Sequence, residues 1–295
     1  MPRVFARRIA LMTATCAPFA SAPASAAAPV RRAYAPAWTG QVHLREAGTR
    51  GQGRRALMCF HPSLASSLYY EPLLAEMGQD RFVVAPDIPG YGMSDAPPAQ
   101  PTVADYARAM ADAADALGLA DFDILGAHTG AKIGVELALL RPAQVRHLAM
   151  VGAPVYTEAD LKRLRERNAV EPPDPDGAFL VRAWKSQVER RDPRAGLADV
   201  MRRFPDHLIG GDARIWGQVA AFSYHMDQRI GAVAAPVLVI NPRGDLSEPT
   251  KRVAPYLKSG KLVDRPDWAP SFLQHDTAAA AAMLRAFFDE DRFPE

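Results

Sequence analysis

Cysteine is nearly absent, with two residues in a chain of 295. Cys16 lies in the N-terminal segment, and Cys59 sits inside an apolar run, where a buried core thiol is expected. With Cys16 removed by processing, no intrachain disulfide could form. The sequence also lacks an apolar run long enough for a transmembrane helix. Charge of one sign is not in excess: the formal net charge is +2, and residues 1–28 contribute Arg3, Arg7 and Arg8 without an acid. The remainder balances 32 basic against 33 acidic groups. Such a surface gives no electrostatic case for nucleic acid or a membrane surface, and a small-molecule partner is expected instead. The seven histidines do not fall into metal-ligand spacing with carboxylates or thiols, and no Gly-rich phosphate loop is present. Neither a metal nor a cofactor is expected.

The first 28 residues have the layout of an export signal. Arg3, Arg7 and Arg8 form a basic region, Ile9–Ala20 a short apolar one, and Ala24-Ser25-Ala26 a small-residue cleavage site. Arg7-Arg8-Ile9-Ala10-Leu11 resembles a twin-arginine signal, which implies a periplasmic destination. Residues 29–40, rich in Pro and Ala, read as a linker.

From residue 41, strand-like and helix-like segments alternate, as βαβ units of a parallel sheet do. Gln41–Glu46 reads as a leading edge strand. Arg55–Phe60, Arg81–Pro86, Phe122–Leu125, Val145–Val151 and Val237–Ile240 read as further strands, with a short one near Lys261–Val263. Helices are expected over Ser66–Met77 (bent or restarted at Pro72), from a Thr102/Asp105 cap to Leu117, over Thr129–Leu140, from about Thr250, and from Thr277 to Phe288. Residues 155–233 break the rhythm with charge and helical periodicity. The expected fold is therefore a doubly wound, mostly parallel α/β sheet, residues 41–154 and 234–295, interrupted by a helical cap over 155–233.

The most specific signal is Gly126-Ala127-His128-Thr129-Gly130, where a strand runs into Gly-x-X-x-Gly and then directly into a helix. Such a turn strains its middle residue and pushes that side chain above the carboxyl edge of the sheet, and a Cβ on either glycine would clash. The His61-Pro62 turn, Asp87–Ser94, Arg141-Pro142 and Asn241–Asp245 accompany it along the chain. With these residues the chain resembles the α/β-hydrolase superfamily over about residues 41–290. The resemblance implies a nucleophile at position 128, an acid at Asp245, a histidine after the last strand, and an oxyanion hole from the backbone N–H groups of Thr129 and Ser63. Two positions depart from that pattern. His128 stands where Ser, Asp or Cys is usual, and Pro270 stands where the loop histidine is expected, the nearest histidine being His275.

These departures suggest a repair. An imidazole is longer than a hydroxymethyl group, so His128 could reach Asp245 and form a His–Asp dyad that activates water. His275 reads either as a displaced base or as a surface residue at a helix start. His61 is expected to shape its loop, and Asp87 to anchor its own through backbone hydrogen bonds. In the cap, Trp184, Trp216, Phe222, Tyr224 and His225 either line a pocket or pack the helices. The resulting expectation is hydrolysis of a small, mostly apolar ester- or lactone-like substrate. A cofactor-free lyase or isomerase, or a silent ligand-binding protein, are the alternatives.

Overall fold

A computed structural model describes residues 27–167 and 174–294. The segment read as an export signal lies almost wholly outside them, as does part of the Pro-rich stretch 171–177. Ala28, at the end of that segment, already packs on the domain, its N–H donating to Ala75 O at 3.0 Å.

Eight strands form one sheet in the order β1-β2-β4-β3-β5-β6-β7-β8. They are β1 (Arg31–Ala37), β2 (Gly40–Ala47), β3 (Ala56–Phe60), β4 (Val83–Pro86), β5 (Phe122–Ala127), β6 (Val145–Val151), β7 (Val237–Pro242) and β8 (Gly260–Arg265). β1 and β2 pair antiparallel, β2 joins β4 antiparallel, and every pairing from β4 to β8 is parallel.

Two expectations are corrected at this edge. Residues 29–40 are not a linker, because Arg31–Ala37 is a strand; it also displaces Gln41–Glu46 from the sheet edge. The Pro and Ala content that suggested a linker is tolerated because β1 has a single neighbour, so Pro36 need not donate to a second one. Gly40, at φ +117°, makes the turn that folds β1 onto β2.

Helices cover both faces. On one side lie α2 (Val103–Ala116) and α3 (Thr129–Leu140), and on the other α1 (Glu71–Met77), α10 (Phe272–His275) and α11 (Thr277–Glu290). The Thr102/Asp105 capping box forms as its sequence indicates. Pro72 restarts the helix instead of bending it: a 3-10 turn, Ser67–Tyr70, precedes α1, and the proline takes a first-turn position where its missing N–H costs nothing. After β7 the helix α9 (Ser247–Lys251) begins earlier than Thr250 and is short. Between β6 and β7 the described chain is helical: α4 (Glu158–Arg167), α5 (Ala178–Arg190), α6 (Leu197–Arg203), α7 (Trp216–Phe222) and α8 (Met226–Arg229). Glu136 of α3 ties the end of this insertion to the sheet, accepting both Arg229 nitrogens (2.7 and 2.9 Å) and Tyr224 Oη–H (2.7 Å). Among the described residues no helix is long and apolar enough to cross a membrane.

Candidate active site

The turn between β5 and α3 has the geometry its glycines require. His128 sits at φ 51°, ψ −105°, a backbone region that costs a non-glycine residue about 1–3 kcal/mol. A Cβ on Gly126 would lie 2.4 Å from Gly130 O, and one on Gly130 would lie 2.0 Å from Phe60 O. The two glycines therefore let α3 start against the end of β3, which brings Ser63 to Thr129 with their hydroxyls 2.7 Å apart. Ser63 also bonds the Tyr91 hydroxyl, which accepts the Gly217 N–H at 3.0 Å.

Above this turn lies a cavity of about 480 Å³, walled by the sheet's carboxyl edge and the insertion. His128, Ser63, Thr129, Asp245 and Pro270 all line it. Sheet topology thus gathers residues more than 200 positions apart. Asp245 and Pro270 are exposed at its mouth, whereas His128 is half-buried. The imidazole rests over Gly152, the residue after β6, where a Cβ would lie 2.9 Å from Cδ2 and 3.2 Å from Nε2. Gly152 is also at φ +66°. Gly152→Ala is expected to turn the ring and to cost about 1–2 kcal/mol. Shifted His128 ring signals in NMR, with urea unfolding, check both parts.

The electrostatics differ from the dyad expected. Burial first, and the charge of Lys132 second, lower the His128 pKa to about 4. A bridging carboxylate would raise it. The imidazole is therefore neutral at pH 7.

Lys132, one helical turn after His128, is the residue the sequence reading missed. Its side chain is 1% exposed and lines the same cavity. Nζ donates to Ala221 O at 2.5 Å, and lies 4.7 Å from the Tyr156 ring centroid and 5.9 Å from that of Tyr224. Burial lowers its pKa to about 7. The i, i+4 spacing from His128, on a helix otherwise apolar over Ala131–Val135, was the available signal.

Three proposed site residues lie elsewhere. His275 ends α10 and lines a separate pocket with Asp192 and Ser271, so it does not join His128. Trp184 packs edge-to-face on Phe204 at 5.4 Å, inside the insertion. Tyr224 stands behind Lys132, bonded to Glu136. The aromatic residues on the cavity wall are Tyr156 and Phe222, their rings 6.0 Å apart. His61 is structural, as its position suggested: Nε2 accepts the Ile88 N–H at 2.9 Å, which leaves Nδ1–H to donate to Pro62 O at 2.8 Å. Among the described residues no three His, Cys, Asp or Glu side chains gather as a metal site.

A family model described as the alpha/beta hydrolase fold matches residues 56–174, which include the elbow. The chain has the α/β-hydrolase fold. A protein named as a carbamate hydrolase from Rhizobium rhizogenes is 27% identical over 215 residues, 68% of this chain and 76% of that one. Among solved structures, an enol-lactonase from Burkholderia xenovorans superposes with TM-score 0.70 at 16% identity, covering 86% of this chain and 99% of that one. A 2-hydroxy-6-oxo-6-phenylhexa-2,4-dienoate hydrolase from a Rhodococcus strain gives 0.69 at 19%, covering 88% and 99%. In this α/β-hydrolase fold the strained turn between β5 and α3 carries the imidazole of His128.

Proposed function

We propose that this protein hydrolyses a small, mostly apolar ester- or lactone-like substrate, with the neutral imidazole of His128 drawing a proton from the attacking water. The observation that carries the reading is a half-buried, uncharged base on the elbow, facing a cavity roofed by the insertion. The substrate carbonyl would lie over the elbow, and the backbone N–H groups of Thr129 and Ser63 would serve the developing oxyanion. Leu164, Ala221, Phe222 and Tyr156 give the wall its apolar character, and about 480 Å³ suits a small ligand. The three relatives described above carry names of hydrolases, which agrees with this class of reaction. Asp245, at the mouth, would orient substrate or water and not the imidazole.

The test is hydrolysis of short p-nitrophenyl esters by the wild type beside His128→Ala, from pH 3.5 to 9. Only the unprotonated ring is a base, so the rate should be level above about pH 6 and fall as pH drops through about 4. The variant should lose roughly 10²-fold or more. Equal rates in the two proteins would remove His128 from the mechanism. Lys132 favours a second reading, a cofactor-free lyase or isomerase, because a buried amine titrating near pH 7 can carry a proton to and from carbon. Loss of an exchangeable C–H signal from a ketone substrate, unaccompanied by ester hydrolysis, would select it.

A further inference from the structure

Six lysines occur in the chain, and five of them are exposed. Lys132 is the exception. It is held on the elbow helix among the residues that line the cavity, its amine packed under an insertion that supplies one carbonyl and two aromatic rings as neighbours. Glu136, one turn further along α3, is committed to Arg229 and Tyr224. A lysine kept in the wall only to fill space would need no cavity beside it, and an apolar side chain would fill that position at lower cost.

We propose that Lys132 captures the carbonyl carbon of a small aldehyde or ketone in this cavity as a reversible imine. The amine lone pair adds to the carbonyl carbon and forms a C–N bond, and the former carbonyl oxygen takes up a proton. That oxygen then leaves as water with a second proton, while the nitrogen lone pair forms the C=N bond. One of the two protons comes from the attacking amine and one from solvent, so the product is a protonated imine. Water adding back to the carbon reverses the sequence. His128 lies on the same face of the helix one turn earlier, placed to carry a proton between oxygen and nitrogen.

The charge state supports the geometry. Burial lowers the Lys132 pKa to about 7, so about half of its amine is free at neutral pH. An ordinary exposed lysine near 10.4 is almost wholly protonated there, a difference in free amine on the order of a thousandfold. The ionisable groups around Lys132 are His128 and Glu136 on its own helix, Tyr156 and Tyr224 flanking it, and Arg190, Arg243 and Asp245 on the cavity wall. A desolvated amine in an aromatic pocket is the environment in which lysines act as nucleophiles.

The assignment does not depend on ester turnover, and its test needs none. The full chain is incubated at pH 7 with benzaldehyde or acetone and cyanoborohydride, which reduces an imine to a stable secondary amine, and the lysine peptides are mapped by mass. Lys132 is expected to label at least about tenfold faster than any of Lys162, Lys185, Lys251, Lys258 and Lys261, with that advantage lost at pH 10. Lys132→Arg, which keeps a cation and a donor, should reduce the early labelling to the slow rate of the exposed set, its melting curve showing that it folds. Label on the exposed lysines with Lys132 unmodified until urea is added would overturn the proposal and mark Lys132 as structural. An active esterase with no label removes the imine and leaves the hydrolase; label without esterase does the reverse.

Discussion

Replacing Asp87 by alanine is expected to lower the unfolding free energy by about 3–5 kcal/mol, among the largest single-residue losses in the protein. The carboxylate is 1% exposed and satisfies three donors on three segments. Ser67 N–H reaches Oδ1 at 2.6 Å; Met93 N–H (2.9 Å) and His43 Nδ1–H (2.8 Å) reach Oδ2. Alanine would leave the His43 and Ser67 donors buried and unpaired and take the acceptor from the Met93 N–H, and the Asp87→Asn amide could serve only part of the set. Burial alone would raise the Asp87 pKa, but the bonds from His43, Ser67 and Met93 outweigh it and hold the group at about 2. A carboxylate depressed in the folded state stabilises above its unfolded pKa and loses that contribution as pH falls through the folded value. Relative to an unfolded pKa near 3.9, this amounts to about 2.5 kcal/mol at neutral pH. Urea unfolding of wild type and Asp87→Asn should show a gap that is constant above about pH 5 and narrows as pH falls towards 2. A constant gap down to pH 2 would place the carboxylate's value elsewhere. Because Ser67 follows the β3 loop that carries Pro62 and Ser63, loss of Asp87 should also loosen one wall of the cavity.

The sheet was legible because its strands are short apolar runs separated by helix signals, and those periodicities depend on local side-chain packing. β1 escaped because an edge strand is stabilised by one neighbour, β2, so its own sequence need not look like a strand; Tyr34 and Ala35 alone hint at the alternation. The elbow was legible for a different reason. Gly126 and Gly130 are required by backbone contacts within five residues and across to β3, and no other residue fits there.

The contents of the cavity were only partly legible. Position fixed which segments meet, so His128, Asp245 and Pro270 line one cavity. What a side chain experiences there is set by the insertion, whose packing no local pattern records. The imidazole was expected to gain a carboxylate that supports its charged form; burial and Lys132 instead favour the neutral ring. Aromatic residues at helical spacing could not show which face meets the cavity, and Trp184 turns to Phe204 while Phe222 faces inward. A lysine on an apolar helix face reads as a snorkelling surface residue until the covering element is known.

Gly130→Ala is expected to fail to fold, or to fold with a loss of about 3 kcal/mol or more. Helix propensity argues the other way, since alanine in a first turn would gain up to about 1 kcal/mol over glycine. The clash decides the sign: the new Cβ would lie 2.0 Å from Phe60 O, 2.5 Å from Phe60 C and 2.9 Å from His61 O. All three atoms are backbone, so no rotamer change relieves the contact, and α3 must move away from the end of β3. That movement separates Ser63 from Thr129 and pulls apart the two loops that form the floor of the cavity. Gly118→Ala is the control. Gly118 has φ +68° and nothing within 4 Å of its would-be Cβ, so its cost should be the backbone strain of about 1 kcal/mol. Comparable stability of the two variants by urea unfolding would mean that the contact between strand and helix at the elbow is slack, and the reason given for the glycine would be lost.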